Sequence, residues 1–239
     1  MSGMGRWLRF FLRCIPAGTV VPIMQGKLRG KKWIKGSGVN GYWLGSYELK
    51  QQQVFGDVLK DGNIVFDVGA HVGFYSLLAA EVVGPSGKVF AFEPNQRNFD
   101  YLEWHIKHNG YRNTFPFQVA VSNHNGRAYF DEAADSAQGH LTHNPEGAIG
   151  VQSISLDTFI EQKKLPAPTV LKIDVEGAEL RVLQGAANTL KNHKPIIFLS
   201  THREDNDRSS RYLELLGYRL EKITAIPKCK QEEILAMPT

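Results

Sequence analysis

The chain has 239 residues, of which 42% are apolar and 22% charged, with a formal net charge of +4 and two cysteines. That length suits one domain with a modest extension, and the mild charge does not suggest a nucleic-acid partner. Cys14 and Cys229 form no metal-ligand or redox spacing, which fits a reducing cytoplasmic setting, and no apolar run approaches the roughly 20 residues of a membrane-spanning helix.

Residues 4–13 set Arg6, Arg9 and Arg13 beside Trp7, Leu8, Phe10, Phe11 and Leu12. Such a basic amphipathic start reads either as a helix packed on the domain or as a weak membrane-surface contact. Residues 19–43 alternate short β-like pieces with glycines and predict a small antiparallel β cap. The basic residues here, from Lys27 to Lys35, read as a solvated face. Residues 1–45 are therefore set apart as an amphipathic segment and cap, and 46–239 as the main domain. Trp43–Glu48 is expected to open a helix running to about Lys60, with Tyr47 and Glu48 either reaching over a ligand site or serving capping and packing.

Ile64, Val65, Phe66 and Val68 form a β-branched run that reads as a strand buried on both faces. Gly69 and Gly73 bracket a turn, and a helix follows from His71 or Val72. A second strand covers 88–92, a helix about 95–109 ends at Gly110, and a third strand covers 115–121. Residues 127–131 suggest a hairpin strand. Residues 132–148 lack periodicity and read as a long loop, where His140 and His143 are candidate acceptor contacts. Ser155 or Asp157 caps a helix reaching Lys164. Strands at 169–174 and 195–200, helices after Glu179 and over 206–216, and closing strands at 218–223 and 233–236 complete the pattern. Alternation of strands and helices predicts an α/β fold: a mostly parallel, doubly wound sheet with antiparallel closing strands.

In such sheets a ligand sits beyond the carboxyl ends of the strands, here Asp67, Glu93, Asp174 and Ser200 with His202. The turn reads D-x-G-x-x-x-G rather than the dinucleotide G-x-G-x-x-G. An acid at the first position repels a pyrophosphate, which disfavours a nicotinamide oxidoreductase, but suits an ammonium or sulfonium. S-adenosylmethionine carries both, together with a ribose diol. Glu93 falls 20 residues after Gly73, at the end of the second strand, where an acid accepts hydrogen bonds from ribose hydroxyls.

These segments resemble the FkbM family of S-adenosylmethionine-dependent methyltransferases. The matching pieces are Phe66–Tyr75, Ala91–Asn95, Val119–Ser122, Ser155–Asp157 and, most specifically, Leu171-Lys-Ile-Asp-Val-Glu-Gly-Ala-Glu-Leu180 with Val182–Gly185. The resemblance implies a Rossmann-like class I methyltransferase fold and O-methylation of a sugar or secondary-metabolite hydroxyl. Nitrogen or lipid acceptors, and a non-catalytic or membrane-surface-associated cofactor-binding domain, are the alternatives. In the cofactor half, Gly69, Ala70, His71 and Gly73 are expected at the methionine carboxylate and Asp67 at the ammonium. Glu93, Pro94 and Asn95 are expected at the ribose, Ala120 and Val121 at the adenine, and Asp174 between cofactor and acceptor. An alcohol must also lose its proton, and Asp174, Glu176 and His202 are the candidate bases. The same three could hold a divalent ion, although spacing alone does not support one. The family often carries a Glu near Leu199 or Ser200, where this chain has Ser200-Thr-His202.

Overall fold

The computed structural model describes residues 15–131, 140–142, 149–201, 205–226 and 231–239. His202 and His143 lie outside the described residues, as do residues 4–13. In chain order, β1 (Val20–Pro22) and β2 (Lys32–Ile34) form an antiparallel pair, followed by α1 (Gly41–Leu44) and α2 (Leu49–Val58). Next come β3 (Ile64–Val68), α3 (Phe74–Val83), β4 (Lys88–Phe92), α4 (Gln96–Asn109) and β5 (Thr114–Phe117). A smaller unit holds β6 (Ala120–Ser122), β7 (Gly126–Asp131), β8 (His140–Thr142) and β9 (Ile149–Ser155). The remainder is α5 (Leu156–Lys163), β10 (Val170–Ile173), α6 (Glu179–Gly185), α7 (Ala187–His193), β11 (Ile196–Thr201), α8 (Asp205–Leu215), β12 (Tyr218–Ile226) and β13 (Gln231–Pro238).

The central sheet runs β12-β13-β11-β10-β3-β4-β5, parallel from β11 to β5 and antiparallel at β13 and β12. The period of two along each strand assigns its side chains to two cores. Val65, Val89, Ala91, Val170 and Phe198 face one core with Phe55 of α2, Leu77 of α3 and Leu102 of α4. Phe66, Val68, Phe90, Phe92, Leu171 and Ile173 face the other, with Phe159, Leu183, Leu190 and Leu213 of α5 to α8. Trp33 and Trp43 of the cap belong to the first core, so the cap closes over the same face as α3. Burying such side chains is worth about 1.5–3 kcal/mol each.

Three expectations from the sequence are corrected, and a fourth is refined. The helix expected over 43–60 is broken, because Gly45 ends α1 at φ 70 and Glu48 takes φ 44 before α2 begins. The single strand expected over 115–121 is two, in different sheets. β5, with Pro116 on the edge of the central sheet, pairs with β4, whereas β6 pairs with β9. Part of the expected loop is β8, antiparallel to β7. Both cap candidates act, but on different helices: Ser155 Oγ accepts from the Thr158 amide of α5, while Asp157 accepts from the Asn188 and Thr189 amides of α7 at 2.8 and 2.9 Å.

Candidate functional site at the carboxyl edge of the sheet

The turn after β3 folds back on β4. The amides of Gly69 and Ala70 both donate to the Phe92 carbonyl, at 3.0 and 2.9 Å, and Gly73 N donates to the Ala70 carbonyl at 2.9 Å. The His71 amide donates to Glu93 Oε2 at 2.9 Å and the Asn95 amide to Glu93 Oε1 at 2.9 Å. Gly69 sits at φ +80, and a Cβ there would stand 1.8 Å from the Asp174 carbonyl oxygen, so only glycine lets the turn lie against the end of β10. The turn amides of Gly69, Ala70, His71 and Gly73 are thus each bonded within the protein. Asn95 Oδ1 caps α4 by accepting from the Asn98 amide, while half-buried Pro94 links it to Glu93. Ala120 and Val121 are buried on β6, the latter in the second core.

Glu93 is 5% exposed, and burial pushes its carboxyl up to about 7 against the pull of the Asn95 and His71 amides. An ionised carboxylate has about four acceptor positions. The Asn95 and His71 amides and the Asn98 side chain take three of them, which leaves one for a ribose hydroxyl, so this group fits the expected nucleoside.

The same period of two builds a polar row on the α3 face of the sheet. Asp67 of β3 is paired in register with Lys172 of β10, and Ser200 of β11 with Glu233 of β13. Lys172 Nζ lies 3.5 Å from both Asp67 Oδ1 and Asp174 Oδ2, and 4.8 Å from the centre of the Tyr75 ring. Asp67 Oδ2 accepts from Ser76 Oγ of α3 at 2.6 Å, and Ser200 Oγ donates to Glu233 Oε2 at 2.8 Å. Burial works against the Lys172 charge, yet Asp174, Asp67, Glu233 and Glu48 outweigh it and raise the ammonium above its usual range. Burial, with the charges of Asp174 and Glu48, pushes Glu233 up to about 8. Asp67 is fully buried, its carboxylate bonded to Ser76 and paired with Lys172. Asp67 and Glu93 nonetheless belong to one edge, close enough for the Asp67 charge to raise Glu93.

Asp174 and Glu176 are half-buried in the loop after β10, which Glu179 closes by accepting from the Gly177 amide at 2.9 Å. Glu48, His71 and Glu176 are non-glycine residues at φ 44, 51 and 52. Left-handed backbone at such residues costs of order 1–3 kcal/mol each and concentrates at functional sites. Glu233, Tyr75 and His105 also contribute, although no local sequence signal marks them. His105 is fully buried; its Nδ1 lies 2.8 Å from the Val72 carbonyl oxygen, and its Nε2 accepts from the Ile34 amide at 3.0 Å. No set of three or more His, Cys, Asp or Glu side chains among the described residues is arranged to hold a metal ion.

Residues 67–220 match the methyltransferase FkbM domain. The chain belongs to the FkbM methyltransferase family. A solved FkbM methyltransferase from Methylobacillus flagellatus KT superposes with a TM-score of 0.56 at 18% identity, covering 78% of this chain and 50% of that one. Fibrillarin from Aeropyrum pernix, with natively bound S-adenosylmethionine, gives 0.51 at 15% identity, covering 80% and 74%. These likenesses establish the class I methyltransferase fold. The hexuronic acid methyltransferase AglP of Haloferax volcanii is 32% identical over 136 residues, 56% of this chain and 54% of AglP. The FkbM chain thus spans about half the length of AglP and of the solved FkbM protein.

Proposed function

We propose that this FkbM chain binds S-adenosylmethionine across the carboxyl edge of its sheet and transfers the methyl group to a hydroxyl of a sugar or related metabolite. The observation that carries the cofactor half is the buried Glu93 carboxyl, held by two amides at the end of β4 beside a turn that only glycine can make. Glu93 would take a ribose hydroxyl and Ala120 with Val121 would flank the adenine. Gly69, Ala70, His71, Gly73, Pro94 and Asn95 would shape the wall on which the ligand lies, while Asp67 would act through Lys172.

When bound, the cofactor supplies an electrophilic methyl group on a sulfonium whose charge is lost in transfer. The chain's part is to orient the acceptor, for which near-attack geometry is worth about 7–11 kcal/mol, and to accept a proton. Asp174 and Glu176, expected from sequence as bases, stand in the loop after β10 at that edge. The similarity to AglP supports a sugar acceptor. A hexuronic acid offers hydroxyls and a carboxylate; Asp174 and Glu48 at one edge oppose another anion and favour the hydroxyl.

Calorimetry with S-adenosylhomocysteine tests the cofactor half. Wild type is expected to bind, and Glu93→Ala to bind at least tenfold more weakly. Absence of binding by wild type would end this reading.

A further inference from the structure

We propose that Glu48, outside the residues matched to the family, is the general base that accepts the proton of the acceptor hydroxyl. This rests on the reading of the carboxyl edge as a methyl-transfer site. Glu48 lies in the segment between α1 and α2, with φ 44 and ψ 50. At nearby Gly45 the chain makes a left-handed turn with a glycine, whereas at residue 48 it holds a glutamate in that conformation. Helix capping does not explain this, since the Glu48 side chain makes no cap hydrogen bond to α2. The carboxyl turns instead to α3, where Tyr75 Oη donates to Oε2 at 2.8 Å, and Tyr47 hydrogen-bonds the same group.

The charged groups facing Glu48 come from three further places: Lys172 on β10, Asp174 in the loop after it, and Glu233 on β13. Among these acids, Glu48 has the surroundings a base requires. Asp67 is fully buried, Glu233 is 3% exposed and held by Ser200, and Asp174 is paired with Lys172. Glu48 is half-buried, so an acceptor can reach it. Burial, and the charges of Tyr42 and Glu48, raise the Tyr47 phenol, and burial followed by Glu48 raises that of Tyr75. Both phenols therefore stay protonated and orient the carboxylate. Burial likewise lifts the Glu48 carboxyl above its ordinary range, the direction that suits proton uptake near neutral pH. In the step, the acceptor oxygen forms a bond to the methyl carbon as the carbon–sulfur bond breaks. That electron pair stays on sulfur, giving a neutral thioether, and the hydroxyl proton passes to Glu48.

The test compares wild type, Glu48→Gln and Tyr75→Phe in S-adenosylhomocysteine binding and in methyl transfer from S-adenosylmethionine to methyl β-D-glucuronide and methyl β-D-glucoside between pH 5 and 9. Glu48→Gln is expected to bind within about twofold of wild type, to lose roughly 100-fold or more in kcat, and to lose the acidic limb of the pH profile. Tyr75→Phe keeps the carboxylate and is expected to lose less turnover than Glu48→Gln while retaining that limb. Carbon-13 NMR of the wild-type complex should show Glu48 titrating above an ordinary glutamate. If Glu48→Gln keeps the wild-type rate and profile, or Glu48 titrates as a surface glutamate, the base assignment is overturned and the cofactor reading stands. If wild type binds no S-adenosylhomocysteine, or methylates neither glycoside, the reading of the site fails and the base assignment with it.

Discussion

Lys172 balances the polar row. With its Nζ 3.5 Å from Asp67 and from Asp174, it neutralises a carboxylate that has no access to water. Removing one partner of a buried pair leaves the other charge uncompensated, at about 3–5 kcal/mol. Lys172→Met is therefore expected to lose stability on that scale in urea unfolding, and a loss below about 1 kcal/mol would show that the row does not depend on the ammonium. Glu93 makes a different prediction, because its burial matters to the ligand as well as to the fold. A ribose hydroxyl donates to the ionised carboxylate, so binding below pH 7 must displace the proton that burial retains. Affinity for S-adenosylhomocysteine should rise with pH up to about 7, by at most tenfold per pH unit, and then level off. Calorimetry at pH 5.5, 6.5 and 7.5 reads this directly, and a flat profile would remove Glu93 from the contact.

Elements are joined to this edge by side chains that the sequence does not mark. His105, from the middle of α4, stacks on Trp33 with ring centres 3.9 Å apart and bridges the Ile34 amide of β2 to the Val72 carbonyl of the turn. His105→Phe preserves the stacking but strands both backbone groups, at about 1–3 kcal/mol per unsatisfied group. Lower thermal stability together with weaker S-adenosylhomocysteine binding is expected; unchanged binding would mean that the cap does not hold the turn. The strands β3, β4 and β10 and the ends of α4 were legible because their signals are local: β-branched runs, an Asn at the cap, a Gly after the last turn. The polar row was not, because Ser200 meets Glu233 only through the register of two antiparallel strands 33 residues apart. Local sequence likewise gave no sign that Asp157 would cap α7, or that residues 140–142 would pair with β7. Glu233 also answers the departure noted at the end of β11: a carboxyl stands beside Ser200, delivered from β13 rather than from β11 itself.

At the scale of the whole molecule, the buried titratable groups predict the shape of stability against pH. Glu93 and Glu233 have folded values raised from an ordinary 4.5 to about 7 and about 8. Between 4.5 and those values the folded chain binds more protons than the unfolded one, so stability falls as pH rises through that window. His105 acts with the opposite sign. Burial lowers it from 6.5 to about 4, so the unfolded chain takes up the proton first and stability falls as pH drops through 6.5 towards 4. Two carboxyls outweigh one imidazole above about pH 4.5, so the melting temperature should fall from there as pH rises. From pH 6.5 to 8 only the carboxyls contribute, and a loss of about 2 kcal/mol is expected, or about 4–8 °C in a chain of this size. Differential scanning calorimetry should show this decline in wild type and a shallower one in Glu233→Gln; a melting temperature that rises steadily to pH 8 would mean that the buried carboxyls ionise at no cost. A cationic ligand beside those carboxylates offsets their repulsion, so S-adenosylmethionine should raise the melting temperature more at pH 8 than at pH 6.5. The excess of acids that weakens the empty fold at alkaline pH is then the same charge that favours a sulfonium at the edge.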